Sequence, residues 1–354
     1  MGVEGSEQGA GRQGQAGIRY LSLAGGHHLA WTVNGTGNPA VVNVAAWASH
    51  VGLDWTEPRL SRFYRALAAK HRLIRYDPPG IGLSDRGVTE FTIDSEVSAL
   101  EAVIEESGEE RVALVGRNQG GPVAITYAAR HPERVSHLIL FNTALRVVAN
   151  EILPEGAPAH LFDAVLALVK AEWGLGSKTI AEVMFPESTP DDLAWFAEYQ
   201  RSSMSPEAAV KLLKTNLLAD VSAEARRVKA PTLVLHHRSS RALSQAAARR
   251  LANTISGAKL QTVEGTSLAP FLEQPDQEVA AICGFLDPAS GLLSQREVEV
   301  LRAAAAGSSN SQIAKQLGVS EHTIARHLAN VFLKLDVSSR SAAAARARQA
   351  GLIG

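Results

Sequence analysis

Val112-Ala-Leu-Val-Gly-Arg-Asn-Gln-Gly-Gly-Pro-Val-Ala-Ile-Thr126 is the stretch that decides the fold. It reads as strand, sharp turn and helix. Residues 111–115 form a short apolar run of the kind a buried parallel strand requires. Gly120 and Gly121 then open a helix through Tyr127 to Arg130. At the crest of the turn stands Asn118, a residue type that tolerates left-handed backbone better than most others with a side chain. Its amide nitrogen is delocalised into its carbonyl and is a very poor nucleophile.

Outward from this turn, strands and helices alternate. Strands are predicted at 18–23, 29–33, 40–44, 72–77, 137–141, 230–236 and 258–263, with helices over 59–71, 92–107, 245–254 and 276–286. That alternation argues for a mostly parallel sheet covered on both faces. Between about 145 and 221 the strand pattern stops. Helical segments at 161–173, 180–185, 193–199 and 208–218 replace it, carrying Trp173, Phe185, Trp195, Phe196 and Tyr199.

The turn Gly116-Arg-Asn-Gln-Gly120 resembles the nucleophile elbow of α/β-hydrolases, G-x-S-x-G. Arg75-Tyr-Asp77 followed by Gly80-Ile-Gly-Leu-Ser-Asp85 resembles that family's strand and turn after it, and Pro231-Thr-Leu-Val-Leu-His236 resembles a later strand. The resemblance implies an α/β-hydrolase fold with a helical cap over residues 145–221. It also implies a triad of nucleophile, histidine and acid. The matching positions hold Asn118, Leu268 and Ser240. Three replacements together mark lost catalysis, so no enzyme activity is expected. A rival reading assigns unusual chemistry to His50, His236 or His237, of which His50 follows the loop expected to donate an oxyanion amide. The favoured reading of His50 is a pocket-wall or hydrogen-bonding histidine. The retained pocket is expected to bind a small organic ligand through Trp47, His50, Trp55, Asn118, Gln119 and Leu268, with Phe185 and Trp195 in its roof. The cap aromatics also read as cap core.

Residues 1–17 are Gly/Gln-rich and nearly devoid of apolar side chains, a composition that favours disorder. The hydrolase-like domain is drawn over 18–287, a linker over 288–292 and a second domain over 293–354. In the last of these, Leu293-Ser-Gln-Arg-Glu297 opens a helix with a capping box. Ser309 to Leu317 is a second helix, Gly318-Val-Ser320 a tight turn, and Glu321 to Leu335 a third helix. Helix, three-residue turn, helix is the helix-turn-helix pattern. The motifs L-S-x-R-E, S-x-x-T-I-x-x-H and K-L-x-V-x-x-R all occur in order, and the segment resembles the LuxR-type DNA-binding domain. The resemblance implies a double-stranded DNA partner. Arg326 is the first candidate for base readout, followed by His322 and Asn330. Ser309, Thr323, Lys334 and Arg340 are candidates for phosphates. Ala325 stands where many relatives carry lysine, which points to sparse direct contacts.

By count the second domain carries about four net positive charges, within a chain of formal net charge −1. That asymmetry suits DNA. A fourth helix, 341–350, is mostly alanine along one side and is read as a dimer contact. A homodimer on a two-half-site operator follows. The single Cys283 excludes intrachain disulfides and Cys-clustered metal sites. No cofactor and no metal are expected. The chain has no membrane-length apolar run and no signal-peptide core, so a cytoplasmic location is expected. Two further readings stay open: an active enzyme tethered to DNA, and a ligand-independent regulator that uses the hydrolase fold only for dimerisation.

Overall fold

The computed structural model describes residues 17–23, 25–88, 90–148, 159–240, 242–269, 275–287, 293–349 and 352–353. The expectations for residues 1–16 and for the linker 288–292 lie outside them. The chain divides into two compact units, 1–275 and 276–354.

In the first unit the described residues form one eight-stranded sheet. Its strands are β1 (Arg19–Ser22), β2 (His28–Asn34), β3 (Val41–Val44), β4 (Leu73–Tyr76), β5 (Val112–Arg117), β6 (Val135–Phe141), β7 (Thr232–His237) and β8 (Lys259–Val263). They run in the order β1-β2-β4-β3-β5-β6-β7-β8. β2 is antiparallel to both neighbours, and every later pairing is parallel. β3, β4, β5 and β7 are buried at every position. Such strands need cover on both faces, which explains their continuous apolar runs.

The helices of this unit are α1 (Leu53–Thr56), α2 (Pro58–Ala68), α3 (Ile93–Glu106) and α4 (Gly120–Arg130), then a cap set and α10 (Gln245–Thr254). The cap set comprises α5 (Ala159–Ala171), α6 (Trp173–Met184), α7 (Pro190–Ser203), α8 (Pro206–Leu218) and α9 (Ser222–Ala225). Its placement between β6 and β7 matches the expected insertion. Side-chain caps start the longer helices: Thr92 forms a capping box on α3, while Thr189 and Ser205 cap α7 and α8 ahead of a proline at the first turn.

The second unit holds α11 (Asp276–Leu286), α12 (Gln295–Ala305), α13 (Asn310–Leu317), α14 (Glu321–Leu335) and α15 (Arg340–Gln349). The helix read as closing the first domain, α11, therefore groups with this unit. Ser294 and Glu297 form the expected capping box on α12. Gly318 ends α13 at φ +66°, a left-handed exit that costs glycine nothing. Ile324, Leu328 and Val331 of α14 are buried against α12 and α13.

Three of the alanines read as a dimer contact have partners within the domain: Ala343, Ala344 and Ala347 of α15 are buried against Leu301, Val331 and Leu335, while Ala345 is exposed. Small side chains do allow close helix approach, but the helices approached are α12 and α14.

Candidate functional site

Asn118 sits at φ +48°, the left-handed conformation its turn was expected to need. The turn is tight because Gly120 lets α4 approach β3: a Cβ there would strike the carbonyl oxygens of Val44 and Ala45. In the orientation that satisfies it, the Asn118 amide nitrogen donates to the carbonyls of Leu268 (3.1 Å) and Asn142 (2.9 Å). The reverse orientation would set oxygen against both. The two residues expected at the nucleophile and histidine positions are thus hydrogen-bonded to each other.

Leu268 carries this further. Its backbone N–H donates to the Met184 carbonyl at the end of α6, 2.8 Å away. Its carbonyl also accepts from Asn142 Nδ2 at 3.2 Å. Asn142 is a residue that sequence reasoning missed. It lies just past β6 at φ +43°, donates to the Ser267 carbonyl (3.0 Å), and accepts from the His237 N–H (3.0 Å). A lone Asn after a strand carries no pattern that could have flagged it.

Above the elbow lies a cavity of about 340 Å³. Its floor is Trp47, Asn118, Gln119, Asn142, Thr143 and Leu268. The cap contributes Leu161, Phe162 and Val165 from α5, Ile180, Val183 and Met184 from α6, and Leu213, Asn216 and Leu217 from α8. Among the described residues, none of the lining side chains is ionisable. Trp47 is fixed by its indole N–H, which donates to Gln200 Oε1 at 2.7 Å.

Four expected pocket residues lie elsewhere, each for a packing reason. His50 Nδ1 accepts from the Leu53 N–H (3.1 Å), and burial lowers the pKa of its ring despite the nearby Asp54. Trp55 is held between Arg65 and Arg75, whose guanidinium carbons lie 4.9 and 5.1 Å from its ring centre. Phe185 is buried edge-on to Phe196 at 4.7 Å, as cap core. Trp195 stacks on Tyr199 at 5.7 Å beneath the Arg59 guanidinium. Trp47, Asn118, Gln119 and Leu268 do line the cavity.

The other proposed bases are no better placed. His237 is fully buried, and its Nδ1–H donates to the Ser267 carbonyl at 2.7 Å. His236 is buried with neither ring nitrogen partnered among the described residues, and burial, with His237 beside it, pushes its pKa down to about 4. Neither lines the cavity. Ser240 keeps a buried hydroxyl without a partner among the described residues.

Beside the elbow is a buried charge cluster that the sequence did not announce. Arg117 donates to Tyr64 Oη (2.9 Å) and Asn43 Oδ1 (3.1 Å). Arg75 donates to Asn34 Oδ1 and lies 3.5 Å from Asp54. Burial raises the Asp54 pKa, which Arg75 opposes, and Tyr199 of α7 donates to its carboxylate. The cap is thereby tied to the sheet through buried polar contacts.

In the second unit, His322, Arg326 and Asn330 are exposed on α14. Ser309 caps α13, and Thr323 shares a hydrogen bond with Ser320 at 2.8 Å. Two phosphate candidates have internal partners instead. Lys334 Nζ donates to the buried Glu297 carboxylate at 2.7 Å. Arg340 donates to the Ser308 carbonyl and reaches Asn310 Oδ1. Of the seven candidates, His322, Arg326 and Asn330 are those without an internal side-chain bond among the described residues.

Comparison with known proteins agrees with this division. A family model described as "alpha/beta hydrolase fold" matches residues 39–275, and one described as "Bacterial regulatory proteins, luxR family" matches 291–347. A pimeloyl-[acyl-carrier protein] methyl ester esterase of Nitrosospira multiformis is 26% identical over 260 residues, covering 70% of this chain and 94% of that protein. A 2-hydroxy-6-oxo-2,4-heptadienoate hydrolase of Pseudomonas putida is 27% identical, covering 69% and 87%. Among solved structures, an esterase from Exiguobacterium antarcticum superposes with a TM-score of 0.68 at 21% identity, covering 75% of this chain and 98% of its own.

Proposed function

We propose, from the premise that this chain belongs to the alpha/beta hydrolase fold family and ends in a LuxR-family regulatory domain, that it is a DNA-binding regulator whose hydrolase-like domain senses a small organic ligand without turning it over. One observation carries this reading. The amide of Asn118 donates to the Leu268 carbonyl, so the two residues we read as replacing nucleophile and general base hold each other, beneath a cavity of about 340 Å³. A site of that size is at the lower end of small-molecule pockets, roughly 300–1,000 Å³.

The switch is a population shift: the ligand must favour one conformation over another, since equal affinity for both would move nothing. Leu268 supplies a physical link, with its carbonyl on the elbow and its N–H on α6 of the cap. Arg326, His322 and Asn330 are the candidate base-reading side chains. A homodimer on two half-sites suits a helix-turn-helix reader, with a contact other than the buried alanines of α15.

Thermal stability of the full chain against a panel of aromatic and lipid-like metabolites tests this reading. Saturation at a hundred times the dissociation constant stabilises by about 2.7 kcal/mol. A binder recovered chemically unchanged supports the sensor. The second reading, an active esterase-type enzyme, is favoured by the esterase and hydrolase relatives. A binder that is consumed would establish it. No binder across the panel moves weight to a hydrolase fold used as a dimerisation platform.

A further inference from the structure

Nineteen described residues line the cavity above the elbow, and fourteen of them carry apolar side chains. The other five contribute four amides and one hydroxyl, and none is ionisable. Ionisable groups do lie close by, but each is turned away or held. Asp163, Glu182 and Lys214 adjoin the lining residues Phe162, Val183 and Leu213 in sequence, yet they are exposed and take no part in the wall. Beside the elbow, Arg117 is bound to Tyr64 and Asn43, and Arg75 to Asn34 near Asp54. Neither arginine lines the cavity.

The floor offers an anion little in their place. Both N–H hydrogens of the Asn118 amide go to the Leu268 and Asn142 carbonyls, and both of Asn142's go to the Ser267 and Leu268 carbonyls. The Thr143 hydroxyl donates to the Asn118 carbonyl at 2.8 Å, and the Trp47 indole N–H to Gln200. The amides of Gln119 and Asn216 are dipoles, whichever end each presents. Gln119 also marks the N-terminus of α4. A helix end carries about half a unit of charge, and it returns less to an anion than stripping a whole ion of its water costs. Amides and a hydroxyl can meet a neutral polar group; a full charge would lose its hydration and gain no counter-ion.

We propose that this cavity admits only uncharged molecules: it takes an ester, lactone, alcohol or amide and refuses the ionised acid or amine of the same skeleton. The inference rests on the ligand-sensing reading and narrows it. It also gives the signal a direction. An enzyme elsewhere that cleaves such an ester with water, to carboxylate, proton and alcohol, would empty the site. Esterification of the acid would fill it.

Calorimetry on the full chain with matched sets tests it: methyl octanoate and octan-1-ol against octanoate and octylamine, and methyl 2-naphthoate against 2-naphthoate. At pH 7 a neutral member of at least one set should bind about a hundredfold or more tightly than its ionised counterpart, because a carboxylic acid of ordinary pKa is then less than about 1% neutral. The acid should gain about tenfold for each pH unit from 8 down to 6, while the affinity of the alcohol stays level. Val165→Trp, which fills the cavity from α5, should abolish neutral binding. A smaller gap, or an acid affinity that ignores pH, overturns charge exclusion while leaving a ligand pocket in place. Neutral binding unchanged in a Val165→Trp protein that melts like the parent puts the site elsewhere and overturns it too. Binding by no neutral member overturns the pocket reading itself, and an ester cleaved during the titration overturns sensing without turnover; the inference falls with either.

Discussion

Asn118 Nδ2 stands 3.1 Å from the carbonyl oxygen of Leu268, closing a hydrogen bond between the two residues that the sequence resemblance matches to a hydrolase's nucleophile and general base. Side chain and backbone hold each other, and the loop 264–269 is pinned to the elbow. Asn118→Ala should therefore destabilise the hydrolase-like domain by about 2 kcal/mol, near 1 for each hydrogen bond lost. Urea unfolding reads this directly. Asn118→Ser should lose similar stability and gain no turnover of 4-nitrophenyl esters, since Leu268 cannot take a proton. Measurable burst or steady-state hydrolysis by that single variant would contradict the account.

Asn216 presents the opposite case. Its Oδ1 is buried without a hydrogen-bond partner among the described residues. Asn216→Leu is expected to raise stability by about 1 kcal/mol, as removal of an unsatisfied buried polar group does. A thermal melt of the unliganded variant that falls below the parent's would argue that the amide is satisfied.

Arg326 and Lys334 are both cations on α14, yet their substitutions should differ in kind. Arg326 is exposed. Arg326→Ala should cost about 1–3 kcal/mol of operator binding and relax preference at one base pair, with non-specific binding largely retained. Lys334 holds Glu297, whose side chain is only 4% exposed. Lys334→Met should instead lower the stability of the DNA-binding domain by about 1–2 kcal/mol, because it leaves that carboxylate short of a partner. Denaturation and DNA titration on the two variants separate these effects. A stable Lys334→Met protein with a reduced salt slope would restore lysine to the phosphate set.

His236 gives a pH dependence with a definite sign. Burial lowers its pKa from 6.5 to about 4, so below pH 6.5 the unfolded chain binds a proton that the folded chain refuses. Stability therefore rises with pH across this window. The contribution is full above about pH 6.5 and is lost as pH falls toward 4. His236→Leu should remove that limb, so the gap in melting temperature between variant and parent should widen in the variant's favour from pH 7 to pH 4. A gap independent of pH would place the imidazole in contact with water.

The centre of the sheet was legible because β3, β4, β5 and β7 are buried on both faces and so spell short, mostly apolar runs. The elbow was legible because Gly116, Gly120 and Asn118 each answer a backbone demand. The charge network was not. Arg75, Arg117 and Asp54 meet only after the chain has folded, and nothing local distinguishes them from surface residues. Aromatic content misled for a related reason. Phe185 and Trp195 are helical and large, but whether such a side chain faces a void or another ring is decided by the neighbouring helix. Lys334 shows the same limit, since its partner lies 37 residues away. The alanines of α15 correctly announced close packing and left open which surface would be packed against.

Trp47 gives the cavity one more property. The chain has five tryptophans, and among the described residues Trp47 is the one whose ring lines the cavity, held in place through Gln200. Indole emission shifts in colour with the polarity around the ring, and a ring that cannot swing reports its surroundings rather than its own motion. The wall proposed to receive a ligand is thus also a lamp. With the other four indoles replaced by phenylalanine, occupancy of the cavity could be followed optically in the regulator itself, with no label attached and while it is bound to DNA.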